Sequence, residues 1–148
     1  MIRFHKITKK NVWNIIELTA GEEGKKHVAL NSHTLIEAIF DNKLSFVKAI
    51  YYNDKLIGLT YFYPSRNIIF ISRFMIDDKY QGKGYGSKAF EKLIEFIKNK
   101  HSPLKIEVST SNPIAINLYK KFGFIDTNNQ RTQNFYKKYN EYILTLTL

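Results

Sequence analysis

The sequence predicts a mixed α/β (α+β) fold, a sheet with helices on its faces. Three observations carry that prediction. Short stretches alternating apolar and polar residues recur along the chain and end in a strongly alternating one at residues 142–148. Between them lie runs with apolar residues at helical spacing, of which Ala89, Phe90, Leu93, Ile94 and Ile97 form the clearest. A glycine-rich stretch, Gln81-Gly82-Lys83-Gly84-Tyr85-Gly86, joins one strand pattern to that helix.

The elements follow in order. Residues 2–7 alternate as a first strand. Asn11 can cap a helix in which Val12, Ile15, Ile16 and Thr19 share a face, and Gly21-Glu22-Glu23-Gly24 breaks it. Ser32 can cap a second helix carrying Leu35, Ile36, Ile39 and Phe40. Residues 46–52 and 56–63 read as strands joined by Asn53-Asp54-Lys55, a hairpin signal, with Pro64 closing the second. Residues 68–76 form a nearly continuous apolar strand. The helix after the glycine loop runs to about Lys100, where His101-Ser102-Pro103 breaks it. Residues 104–108 alternate as a strand. Asn112-Pro113 is an N-cap followed by proline at the first helical position, and that helix ends at Gly123. Phe124-Ile125 starts another strand before the last. The predicted order is β-α-α-β-β-β-α-β-α-β-β.

At 148 residues, 44% hydrophobic and 15% aromatic, the chain fits a single packed domain spanning residues 1–148. No apolar run is long enough to cross a bilayer, so no membrane role is expected. The start lacks the apolar core of a secretion signal and there is no cysteine, which fits a cytoplasmic protein. The lack of cysteine also removes disulfides, thiolate zinc sites and a cysteine nucleophile. His5, His27, His33 and His101 show no metal spacing, so no metal is expected.

The net charge is +10, from 23 Lys+Arg against 13 Asp+Glu. The lysines are scattered, which favours a solvated surface over a nucleic-acid face. The C-terminal alternation suits an internal strand or a homodimer interface equally.

The glycine loop invites an anion. Glycines let the backbone turn tightly with no Cβ in the way, and the following helix offers unpaired N–H groups to a phosphate or pyrophosphate. The loop is not a Walker A loop, because its lysine lies between glycines. It is not a Rossmann fingerprint either, since its spacing is G-x-G-x-G and it comes late in the chain.

Gln81-x-x-Gly84-x-Gly86 matches the R/Q-x-x-G-x-G/A signature of the Gcn5-related N-acetyltransferases. Glu107-Val108, Asn112, Ala115-Ile116, Leu118-Tyr119 and Phe122-Gly123-Phe124 resemble that family's second block, in the right order and separation. The resemblance implies a mostly antiparallel sheet of six to seven strands and a single N-acetyltransferase domain. Within the family, Arg73-Phe74-Met75-Ile76-Asp77 followed by Tyr80 and the loop looks closest to bacterial spermine/spermidine acetyltransferases.

The resemblance implies acetyl-CoA as co-substrate and transfer of its acetyl group to a primary amine, a polyamine or another small amine, by direct attack in a ternary complex. Gln81, Gly82, Lys83, Gly84, Tyr85, Gly86 and the Ser87 N–H would wrap the pyrophosphate, with charge from Lys83 and Lys88. Phe74, Met75 and Ile76 would pair by backbone with the pantetheine arm, and the Ile76 N–H would bind the thioester oxygen. Tyr119 matches the family tyrosine that protonates the departing thiolate, although its spacing also suits a core residue. Asn112 caps its helix or touches the ligand, and Asn117 reaches the coenzyme. Glu107 matches the proton-accepting glutamate of ribosomal-protein-type members, or is a solvated or ion-paired strand residue. Glu17, Glu22, Glu23, Glu37 and Asp41 offer local acidity to a polyamine. Open alternatives are acetylation of a protein N-terminus or lysine, a CoA-binding module without catalysis, and a nucleic-acid-binding module.

Overall fold

The computed structural model describes residues 1–148. Six strands form one sheet in the sequential order β1 to β6: β1 Ile2–Lys6, β2 Val47–Tyr52, β3 Lys55–Ser65, β4 Ile68–Ile76, β5 Lys105–Thr110 and β6 Tyr142–Thr147. All neighbours are antiparallel except β4 and β5. That pair runs parallel because α4, Tyr85–His101, crosses over between them. The expected mixed, mostly antiparallel sheet is therefore present.

The two faces are covered by different helices. On one face, Phe90, Leu93 and Ile97 of α4, with Tyr119 of α5 (Pro113–Lys121), pack on Ile69, Ile71, Ile106 and Val108. On the other, Ile15 of α1 (Val12–Glu17) and Leu35 and Ala38 of α3 (Asn31–Phe40) pack on Val47, Ala49, Leu59 and Tyr61. The alternation of each strand divides its side chains between these two layers.

Local signals hold in several places. Asn112 caps α5, its Oδ1 accepting the Ile114 N–H at 3.0 Å, and Pro113 takes the first turn. Gly123 follows the helix end at φ +93°, a left-handed conformation that glycine adopts without strain. The β2–β3 hairpin turns at Asn53, at φ +53°.

Four expectations are corrected. Gly21–Gly24 does not break a helix but forms a single turn of its own, α2. Asn11 does not cap α1, since its Oδ1 accepts the Thr8 N–H at 2.8 Å. Phe124-Ile125 makes no strand, only an isolated bridge from Ile125 to Thr145. In its place the chain builds an additional helix, α6, Gln130–Tyr139, capped by Asn129 and ended by Asn140 in the left-handed conformation. The order is thus β-α-α-α-β-β-β-α-β-α-α-β.

Candidate active site

The site begins where the parallel pair comes apart. β4 and β5 pair only from Ile68–Lys105 to Ile71–Val108. At the next residue β4 carries a bulge: Tyr61 pairs with Arg73 and Phe62 with Ile71, which leaves Ser72 extra. A bulge bends and twists its strand. Beyond it β4 stays on β3 while β5 stays on β6, and a cleft of about 790 Å³ opens between them.

The divergence leaves a backbone edge without a strand partner. The Asp77 N–H donates to Ile57 O at 2.7 Å, so by alternation the Ile76 and Phe74 amides face away from β3, into the opening. Phe74, Met75 and Ile76 all line the cleft.

The glycine loop closes one end. Gly82 and Gly84 have φ +74° and +85°, and a Cβ built on either meets no atom within 4 Å. Glycine is needed there for backbone conformation, not for protein packing. Gly84 is the N-cap of α4, and Gly84, Gly86 and Ser87 at the start of that helix line the cleft. The Gln81 amide ties the loop down, donating to Ile76 O at 2.8 Å and Ala20 O at 3.1 Å. Ser87 lines the cleft and accepts from Lys121 Nζ at 3.1 Å, which brings in a cation the sequence reading did not single out.

Several candidate residues lie off the lining. The Lys83 ammonium donates to Lys79 O at 3.1 Å, and Tyr85 packs edge-on to Tyr52 and Tyr80. Asn117 is exposed on α5. Asn112 does line the cleft while serving as a cap.

Tyr119 lines the cleft at 3% exposure, packed at 4.6 Å on the Phe90 ring. Burial first, and the nearby Glu141 charge second, push its phenol well above the usual tyrosine value. It therefore holds its proton at neutral pH.

Glu107 is placed otherwise. Its carboxylate is buried outside the cleft lining and gripped at both oxygens by the Arg131 guanidinium, with Nη1 to Oε2 at 2.6 Å. That hydrogen bond in turn raises the Arg131 pKa. Of the readings the sequence left open for Glu107, this arrangement matches the ion-paired strand residue. The reason is α6, which lays Arg131 over this part of β5.

The remaining wall comes from the N-terminal helices. Ala20, Glu23, Gly24, His27, Val28 and Ala29 line it. His27 Nδ1 lies 2.7 Å from Ser111 Oγ, across the mouth. Arg73, also lining, binds Glu37 at 3.1 Å and Ser72 Oγ at 2.7 Å, while its Nε is buried without a partner. Glu141, between the α6 cap and β6, is a cleft-lining acid that sequence reasoning missed. The signal was an acid directly after a helix-ending Asn140 and before an alternating strand.

The acetyltransferase (GNAT) family model matches residues 11–124. Two curated proteins of Bacillus subtilis are each 34% identical over 85 residues: the spermine/spermidine N(1)-acetyltransferase of strain 168 and a probable spermine N(1)-acetyltransferase of subsp. natto strain BEST195. Each match takes in 51% of this chain and 56% of the relative, so the chain spans about half the length of the curated relatives it matches. Among solved structures, a PaiA N-acetyltransferase of Thermoplasma acidophilum in complex with coenzyme A aligns at TM-score 0.69 and 15% identity, covering 100% of this chain and 99% of that one. A GNAT family acetyltransferase of Elizabethkingia anophelis with acetyl-CoA bound aligns at 0.67 and 20%, covering 100% and 97%. At those identities the likeness is one of fold.

Proposed function

The chain belongs to the acetyltransferase (GNAT) family, and from that premise we propose that it is an acetyl-CoA-dependent N-acetyltransferase acting on a primary amine, a polyamine or another small amine, in a ternary complex. The observation that carries the reading is the cleft between β4 and β5, with an unpartnered amide edge on one side and a glycine-capped helix start at its end.

Acetyl-CoA, when bound, supplies an activated acetyl thioester. The chain's own groups fit it. The N–H groups from Gly82 to Ser87, in open space at Gly82 and Gly84, suit a pyrophosphate at the start of α4, with Lys121 beside them. The exposed edge of Phe74, Met75 and Ile76 suits an amide-bearing arm laid as an added strand. The Ile76 N–H, held by the β3 ladder, is preorganised to donate to the thioester oxygen as charge grows there. Tyr119 is protonated at neutral pH and lies on the cleft wall, where its hydroxyl can donate to the departing sulfur.

The acceptor is read from two observations. The relatives at 34% identity act on spermine or spermidine by name. The cleft wall also carries the carboxylates of Glu23 and Glu141, despite a chain of net charge +10. A cationic amine finds local attraction there.

Calorimetry with acetyl-CoA, followed by thiol release across an amine panel, tests the proposal. The panel holds spermine, spermidine, an aminoglycoside, a lysine peptide and a peptide with a free N-terminus. Micromolar acetyl-CoA binding and thiol release with a small amine are expected. Absence of acetyl-CoA binding would refute the acetyltransferase reading. Acetylation of peptides alone would refute the small-amine acceptor.

A further inference from the structure

Helix α6 takes one carboxylate away from the site and delivers another. Near its start, Arg131 holds both oxygens of Glu107 on β5. Just past its end, Asn140 turns the chain at φ +57° and Glu141 follows at the edge of the cleft. The β5–β6 register ends at Thr110 with Tyr142, so Glu141 stands one step further, opposite Ser111. By alternation Glu141, Ile143 and Thr145 share one face of β6, and Thr145 pairs with Glu107. Glu141 therefore occupies the same face as Glu107, nearer the open end, where β4 and β5 have parted.

We propose that Glu141 is the proton acceptor of this site: its carboxylate binds the acceptor's ammonium group and takes a proton from it. The proposal rests on the acetyltransferase reading. Glu141 and Tyr119 line the same cleft, and the Glu141 charge adds to the upward shift of the phenol that burial mainly causes. The other carboxylate of the lining, Glu23, is exposed on α2 and paired with Lys26 at 2.9 Å. His27, the remaining basic group on that wall, has Nδ1 engaged by Ser111. Arg73 is neutralised by Glu37.

The protons balance. Glu141 accepts one proton from the ammonium and releases it to solvent. The freed nitrogen attacks the thioester carbon; the C–N bond forms and the C–S bond breaks. Tyr119 gives its proton to the sulfur, which leaves as a thiol. The proton that the nitrogen sheds on becoming an amide returns to Tyr119 by way of the Glu141 carboxylate.

The test compares Glu141→Gln and Glu107→Gln with the parent chain. Two readouts are used: steady-state thiol release with spermidine, and calorimetric binding of spermidine to protein saturated with coenzyme A. For Glu141→Gln we expect kcat to fall about 100-fold or more, within the range of a lost acid–base group. Spermidine binding should weaken about tenfold while acetyl-CoA affinity stays within twofold. Glu107→Gln should keep kcat within about threefold of the parent. A Glu141→Gln enzyme with parental kcat, or a 100-fold loss in Glu107→Gln alone, overturns the proposal. So does spermidine binding that is equal in parent and Glu141→Gln, or absent from the parent, which decides the matter without turnover. Loss of acetyl-CoA binding by the parent itself would instead sink the underlying reading.

Discussion

Replacing Arg131 with alanine tests whether Glu107 is a structural partner or a working group. The Glu107 side chain is 6% exposed and that of Arg131 is 57% exposed. Stranding a fully buried charge costs roughly 3–5 kcal/mol, whereas exposed pairs contribute roughly 0.2–1 kcal/mol. Here the guanidinium is more than half in water, so solvent enters its vacated place and hydrates the carboxylate. An intermediate loss of about 2 kcal/mol follows from those limits. For a domain of this size that lowers the melting temperature by roughly 4–8 °C. Adding Glu107→Gln to Arg131→Ala removes the stranded charge and should recover at least half of the loss. Melting curves for the parent, both single variants and the double variant give the coupling directly. An Arg131→Ala shift under about 2 °C would refute the argument that the pair is structural. A Glu107→Gln variant that melts normally yet loses kcat 100-fold would refute it from the other side.

Tyr119→Phe should bind acetyl-CoA within twofold of the parent and lose about 10²-fold in kcat, seen in thiol release; an undiminished rate would remove its acid role. Gly84→Ala forces a left-handed residue to carry a Cβ, so stability should drop by about 1–2 kcal/mol in denaturant titrations. Gly86→Ala has a helical position and a Cβ contact of 3.8 Å to Ile76, so it should melt no lower than the parent, yet bind acetyl-CoA at least fivefold more weakly by calorimetry. Gln81→Ala frees the Ile76 and Ala20 carbonyls and should cost about 1 kcal/mol in the same titrations.

The donor half of the site was legible because its determinants are local. Glycines at two positive-φ positions, an Asn-Pro helix start and a five-residue apolar stripe each act within a few residues of themselves. The acid–base half was not. Arg131 meets Glu107 across 24 residues, and nothing at either position announces the other. Helix α6 was missed because most of it is polar; it docks through aromatic contacts such as Phe135 on Phe70, at 6.3 Å between ring centroids. Its cap was nonetheless written in the chain, as Asn129 accepting the Thr132 N–H at 3.0 Å. The opening between β4 and β5 also escaped the sequence. The bulge at Ser72 arises from pairing with β3, a long-range choice that strand alternation does not encode.

The brief parallel ladder between Ile68 and Ile71 has a thermodynamic consequence. Four residue pairs are all that joins a four-stranded block to a two-stranded one within the sheet. Under the proposed reading, the ligand's amide arm lies along the gap and occupies the place of missing backbone. Folding and binding then share one free energy: at a hundredfold excess over its dissociation constant, the ligand adds about 2.7 kcal/mol to global stability. Amides along the edge from Phe74 to Ile76 should gain hydrogen-exchange protection with coenzyme present. The substrate is in that sense the strand that finishes the sheet.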